Sequence, residues 1–345
     1  MSAAARKVFT TPKDQSLAFT RVGFGGAPLG NMHRALGPAE AEATVEAAWA
    51  GGLRYFDTAP LYGHGLSETR IGNALRSKPR EEFVLSTKVG RLLEPCAPGE
   101  EASGIYKPTP ALKVRFDYTH DGVLRSLAAS LARLGTDRVD ILYVHDLERP
   151  PHGDDYESRW ADLTDGGGWR ALDDLRAAGV VSAIGLGVNQ AAPCERMLAE
   201  LDPDLFLLAG RYTLLEQAPL HGLLPNCERR GVGVVIGGPF NSGVLVRPDG
   251  AYNYAAASPE ITARVDRLRA VCARFDVPLP AAALRFVLAH PAVVSVVPGA
   301  QTVDEVASNA ALMDHPIPDD LWAALQAEGL IDVGAPVPEP MVAAC

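Results

Sequence analysis

Short apolar, β-rich runs recur eight times along this chain, and each is separated from the next by a stretch with helical spacing. The runs are Arg21–Gly25, Tyr55–Asp57, Phe83–Lys88, Val139–His145, Ala183–Val188, Leu205–Leu208, Val232–Ile236 and Val293–Val297. Between them, Ala41, Val45, Ala48 and Trp49 fall on one helical face, as do Val123, Leu124, Leu127, Leu131 and Leu134. Glycines at Gly51-Gly52, Gly135, Gly179 and Gly231 each stand just before a strand, where a left-handed helix cap is expected.

Eight strands buried among eight helical segments predict an α/β fold, a (β/α)₈ TIM barrel, forming one unit over residues 1–332 with a loose tail over 333–345. A doubly wound sheet shares the alternation. It calls for G-x-G-x-x-G after the first strand, whereas Gly23-Phe24-Gly25-Gly26-Ala27-Pro28 runs into proline without the third glycine. The Rossmann arrangement is therefore rejected. Two stretches break the rhythm, Arg91–Tyr118 and Pro239–Ser258. Both follow strands, which places them over the C-terminal mouth, where barrel active sites lie.

Composition narrows the function. The 345 residues carry a formal net charge of −10, a surface that repels nucleic acid and anionic membrane. The apolar runs are far too short to span a bilayer, and MSAAARKVFTTPKDQ lacks the apolar region of a secretory signal. Five scattered cysteines (Cys96, Cys194, Cys227, Cys272, Cys345) show no C-x-x-C and no histidine at ligand spacing. They suit a reduced cytoplasm better than a disulfide framework or a zinc site, and no metal is expected. A cytoplasmic protein with a small-molecule partner is the resulting expectation; the oligomeric state is not legible.

Polar residues at the C-terminal ends of barrel strands point into one shared pocket. Asp57 ends the second strand, Lys88 the third and His145 the fourth, and Tyr62 lies five residues past Asp57. Hydride transfer from an alcohol carbon also requires the hydroxyl proton to move. A tyrosine can take that proton if its pKa shifts toward neutrality. A lysine ammonium beside it favours tyrosinate, an aspartate holds the lysine, and a histidine orients the substrate oxygen. Singly, each residue reads as a salt bridge or a cap; together at consecutive strand ends they read as one catalytic unit.

Phe56-Asp57-Thr58-Ala59-Pro60-Leu61-Tyr62-Gly63, Ser86-Thr87-Lys88 and Val144-His145-Asp146 resemble the tetrad motifs of the aldo-keto reductases. The likeness runs from Gly23-Phe24-Gly25 to Val297-Pro298-Gly299-Ala300. It implies an NAD(P)-dependent oxidoreductase in which Tyr62 is the acid/base, Lys88 and Asp57 tune it, and His145 contacts the substrate oxygen.

The resemblance also implies a cofactor site. Asn189 matches the asparagine that holds the nicotinamide amide, but the neighbouring serine, glutamine and stacking aromatic of the family are Val188, Ala209 and Gly237 here. Pro239-Phe240-Asn241-Ser242-Gly243 resembles the loop over the pyrophosphate, which implies contacts from Phe240, Ser242 and Gly243; a plain turn is its other reading. Gly26, Gln301 and Asn309 complete the implied set. NADP-preferring relatives carry a lysine and an arginine for the 2′-phosphate where this chain has Gly299 and Glu305. An anionic Glu305 repels phosphate and can accept from free ribose hydroxyls, which favours NAD and leaves NADP open. Thr302-Val303-Asp304-Glu305 is equally a capping box, and Glu305 cannot easily serve both roles.

Further strings, notably Pro60-Leu61-Tyr62-Gly63-His64-Gly65 and Gly237-Gly238-Pro239-Phe240-Asn241-Ser242-Gly243, resemble the family's sugar-oxidising branch. Its substrates are free aldoses of the L-fucose, D-threo-aldose and L-galactose type; pyridoxal-oxidising relatives share much of the pattern. The implied reaction is oxidation of a cyclic hemiacetal to a lactone. Asp146, Arg91, Arg211 and His64 are the candidates for binding substrate, with Asp117 and Trp49 behind them. A general NADPH aldehyde reductase and a non-catalytic barrel subunit are the competing readings.

Overall fold

The computed structural model describes residues 2–338; the end of the expected tail, residues 339–345 with Cys345, lies outside them. The chain opens with an antiparallel hairpin, β1 (Arg6–Thr10) and β2 (Ser16–Thr20), that the sequence reading does not contain. Next come β3 (Phe24–Gly25), β4 (Tyr55–Asp57) and β5 (Val84–Val89), followed by a second hairpin of β6 (Arg91–Pro95) and β7 (Leu112–Phe116). The remaining strands are β8 (Ile141–His145), β9 (Ala183–Val188), β10 (Leu205–Ala209), β11 (Gly233–Gly237) and β12 (Val293–Val297).

Eight of these form one parallel sheet in the order β12-β11-β10-β9-β8-β5-β4-β3. Parallel bridges Val22↔Val296 and Gly25↔Gly299 join its two edges, so the sheet closes into the predicted barrel. Seven strands agree with the sequence reading to within two residues. The first is shorter than predicted because Val22 makes only an isolated bridge and Gly23 none.

The core has two parts. An outer shell lies between strands and helices and includes Phe56, Leu142, Leu186, Phe206 and Ile236. A smaller cluster lies inside, where Tyr55, Tyr143, Leu205, Val235 and Val294 meet Leu17 and Phe19 of β2. The hairpin thus plugs one end. Phe19 meets Tyr55 edge-on at 4.9 Å, and Lys7 Nζ donates to the carbonyl oxygens of Pro291 (3.0 Å) and Val293 (2.8 Å). Burying Phe19 there stabilises by about 1.5–3 kcal/mol.

The helices follow the predicted faces with one exception. Ala41, Val45 and Ala48 are buried, as are Val123, Leu127 and Leu134, but Leu124 sits at the edge of its stripe and is exposed. Helix His120–Leu134 starts on Thr119, whose side chain accepts from the Gly122 N–H, and ends on left-handed Gly135. The other predicted caps also carry a positive φ, at Gly52, Gly179 and Gly231. Between β8 and β9 the chain makes helices Arg149–His152, Tyr156–Leu163 and Gly168–Ala177 in place of one. No helix among the described residues is long and apolar enough to cross a membrane.

Candidate active site

A cavity of about 310 Å³ opens at the C-terminal ends of the strands. Tyr62, Lys88, His145, Asp146 and Asn189 line it from below. The two irregular stretches cover it as predicted, one contributing Ala102–Tyr106 and the other Tyr254.

The strand ends bring the four tetrad candidates together. Lys88 Nζ donates to Asp57 Oδ2 (2.8 Å) and to the Thr58 carbonyl oxygen (2.9 Å), and lies 4.7 Å from the centre of the Tyr62 ring. The His145 ring stands perpendicular to that of Tyr62 at 5.8 Å. Asp57 is fixed from behind by Ser86, whose hydroxyl donates to Oδ1 (2.7 Å) and in turn meets Tyr55 (3.1 Å). Tyr118 donates to the His145 carbonyl oxygen (2.8 Å) and fixes that strand end. Sequence reasoning missed both supports, because a buried Ser or Tyr looks like any core residue until its partner is known.

The electrostatics correct one expectation. The sequence reading has Lys88 pulling the Tyr62 phenol toward neutrality. In this geometry burial, followed by the Asp57 charge, pushes that phenol well above its ordinary value. Asp57 lies against the ammonium and offsets its effect on the ring. His145 is pushed down to about 3 by burial, with Arg91 and Lys88 adding to it against Asp146, so its imidazole is neutral. At Asp146 burial acts upward, but the Arg91 charge and hydrogen bond, with the Lys88 charge, outweigh it and the carboxyl is held low.

Of the substrate candidates, Arg91 and Asp146 form one unit: Arg91 Nη2 lies 2.5 Å from Asp146 Oδ2, beside His145 Nε2 at 3.5 Å. Arg211 supports rather than faces the cavity, with Nε on the Asn189 carbonyl oxygen (2.6 Å) and Nη1 on Asn253 Oδ1 (3.1 Å). His64 is displaced from its expected place. It is not among the cavity-lining residues, and its Nδ1 lies 2.7 Å from the Leu112 carbonyl oxygen on β7. Asp117 serves the Thr119 cap and pairs with Arg115 and Arg125, while Trp49 packs under Arg54 and against Phe83. Neither reaches the cavity.

The cofactor candidates occupy one side of the mouth. Gly26 is committed to the scaffold, donating to the Asp57 carbonyl oxygen (2.8 Å) and accepting from Ser67 Oγ (2.7 Å). Around Phe240, Gly238, Asn241, Ser242 and Gly243 all adopt left-handed backbone, a concave loop more specific than a plain turn. Asn241 pins it through Thr213 Oγ1 (2.6 Å) and the Gly210 carbonyl oxygen (3.0 Å). Ser242 Oγ accepts from the Tyr254 N–H (3.1 Å) and keeps its own proton to donate.

At the ribose end, Gln301 Nε2 donates to the carbonyl oxygens of Pro28 (3.0 Å) and Met32 (2.7 Å), tying the last loop to the first. Glu305 takes the capping role: Thr302 Oγ1 accepts its N–H (3.1 Å), and its carboxylate accepts from Gln301 N–H (2.6 Å). It remains exposed and anionic. Asn309 lies further along the same helix, Val303–Asp314. A Cβ at Gly299 would come within 2.7 Å of the Pro28 ring, so the phosphate-binding lysine of other relatives has no room there. A nearby cation that the sequence reading overlooked, Arg34, is bound to Glu40 (2.6 Å) and also feels the Glu305 charge. A left-handed amide loop, an asparagine facing the cavity and a backbone seam that tolerates only glycine together fit a dinucleotide.

Comparison with known proteins agrees with this geometry. The pattern of the Aldo/keto reductase family matches residues 21–328, and the chain belongs to that family as an NAD(P)-dependent oxidoreductase. Among its relatives is the pyridoxal 4-dehydrogenase of Microbacterium luteolum, 44% identical over 331 residues, which cover 91% of this chain and 95% of that protein. The D-threo-aldose 1-dehydrogenase of a Pseudomonas species is 43% identical over 324 residues, with the same shares covered. The holo form of aldo-keto reductase AKR11C1 from Bacillus halodurans superposes with a TM-score of 0.74 at 25% identity, covering 96% of this chain and 98% of that one.

Proposed function

We propose that this protein oxidises the anomeric hydroxyl of a free aldose, of the L-fucose, D-threo-aldose or L-galactose type, to the aldonolactone, with Tyr62 as the base. The observation that carries the reading is Tyr62 facing the cavity between the Lys88–Asp57 pair and neutral His145, with Asp146, held from behind by Arg91, on the same wall. Nicotinamide supplies the hydride acceptor when bound. Tyr62, as the phenolate that Lys88 stabilises, takes the hydroxyl proton and becomes the neutral phenol, and His145 hydrogen-bonds the reacting oxygen. Asp146, kept ionised by Arg91, offers an acceptor to the remaining sugar hydroxyls.

The second reading is oxidation of pyridoxal, whose cyclic hemiacetal gives 4-pyridoxolactone by the same proton and hydride movements. It is favoured by Tyr106 and Tyr254, aromatic walls that suit a flat pyridine ring. Following NAD reduction with a panel of free aldoses and pyridoxal separates the two. Turnover of pyridoxal alone would remove the sugar reading, and turnover of neither would remove both.

Two expectations follow for this site. Because the Tyr62 phenol is held above its ordinary value, the tyrosinate fraction grows about tenfold per pH unit through neutral and mildly alkaline pH. Log kcat/KM for oxidation therefore rises with pH at a slope approaching one, and a profile flat from about pH 6 to 9 would contradict Tyr62 as base. The second concerns cofactor choice. With anionic Glu305 and no room for a lysine at Gly299, kcat/KM is higher with NAD than with NADP by roughly tenfold or more. A preference for NADP would sink that expectation and point to Arg34, freed from Glu40, as the phosphate partner.

A further inference from the structure

Glu148 is a group for which the proposed chemistry has no use. It is 2% exposed, yet among the described residues no cation bonds to it. Its partners all belong to one residue: it accepts the Asn189 backbone N–H at Oε1 (3.1 Å) and Oε2 (3.0 Å), and the Asn189 side-chain N–H at Oε1 (2.9 Å). Burying a carboxylate without a counter-charge is costly, so the arrangement calls for a reason beyond packing. The second proton of the Asn189 amide faces another carboxylate, Asp146 Oδ1, at 3.3 Å. Two carboxylates decide which way the amide points, because its oxygen against either of them would be repelled.

We infer that Glu148 is a positioning residue that locks the Asn189 amide with both protons turned inward, so that Asn189 presents only its carbonyl oxygen to the cavity, as a receptor for an N–H donor such as a primary carboxamide. The Arg211–Asn189 carbonyl bond and the Asp146 N–H bond to the Gly187 carbonyl oxygen (2.8 Å) hold the two backbones in register. The inference rests on the reading of Asn189 as the contact to the nicotinamide carboxamide, and it adds that the orientation is imposed by a charge.

That charge titrates near neutrality. Burial pushes Glu148 up to about 7, with Asn189 acting downward and Asp146 upward. Of the other groups around it, Asp146 is held below its usual range, and Tyr118, Tyr254 and Cys194 are held above theirs; the guanidinium of Arg211 also faces it. Protonating Glu148 turns one of its oxygens into a donor and releases the amide.

The test compares NADH with ADP-ribose, which has the same dinucleotide body without the nicotinamide. In Glu148→Gln the NADH Kd, read by fluorescence titration, rises about tenfold, the ADP-ribose Kd is unchanged, and the fall in wild-type NADH affinity below about pH 7 disappears. Equal weakening of both ligands, or no weakening of either, overturns the inference. If the variant does not fold, the wild type suffices: NADH affinity flat between about pH 5.5 and 8.5 overturns it, and a loss on acidification confined to NADH supports it. Wild-type protein that binds neither nucleotide overturns the cofactor reading and this inference together, whereas NADH bound independently of Glu148 overturns this inference alone.

Discussion

Replacing Tyr62 with phenylalanine lowers kcat for oxidation by about a thousandfold while NADH binds with unchanged affinity. The substitution removes one oxygen atom and keeps the ring that packs against Tyr106 at 6.1 Å and lies beside Lys88. Cavity shape and the Lys88–Asp57 pair therefore survive, and only the proton acceptor is lost. His145 cannot take over, because an imidazole held near 3 binds the departing proton too weakly to act as a base at neutral pH. The measurement is steady-state turnover beside a nucleotide titration on the same preparation. Turnover within tenfold of wild type would remove Tyr62 from the chemistry.

Lys88→Met is the second large effect, and it acts on two quantities at once. Lys88 and Asp57 are 1% and 3% exposed, so the variant leaves a buried carboxylate with Ser86 as its remaining side-chain donor. Removing one partner of a buried pair costs about 3–5 kcal/mol, which appears as a lower denaturant midpoint. Activity falls as well, since nothing then stabilises the tyrosinate. Combining the change with Asp57→Asn separates the two losses. The double variant recovers much of the stability, because no uncompensated charge remains, but none of the turnover. Stability losses that simply add would show that the pair is not coupled.

The barrel is legible because its eight runs are apolar on both faces, and the tetrad because four chemically matched residues fall at fixed strand ends. The hairpins are not. β1 alternates exposed and half-buried residues over only five positions, and its reason for being a strand is the barrel end that it covers. The pairing of Arg91 with Asp146 is hidden for a similar cause. Each residue suggests a sugar contact alone, and 55 positions separate them. Glu148 is disguised by its surroundings, since Asp146-Leu147-Glu148-Arg149 reads as a charged surface turn. The outcome at Glu305 was open on sequence because a capping box and a ribose contact demand the same residue; the loop geometry gives it to the cap.

The plug at the barrel end has a consequence for how the chain is made. β1 and β2 leave the ribosome well before β12, but Lys7 bonds to Pro291 and Val293, more than 280 positions later. The barrel end that receives Leu17 and Phe19 is complete only once β12 has closed the ring. Two edge-exposed strands carrying phenylalanines must therefore wait while the intervening barrel is made, a period in which unpaired strand edges are prone to misassociate. The element that seals the finished molecule is also the one most in need of shelter while the molecule is being built.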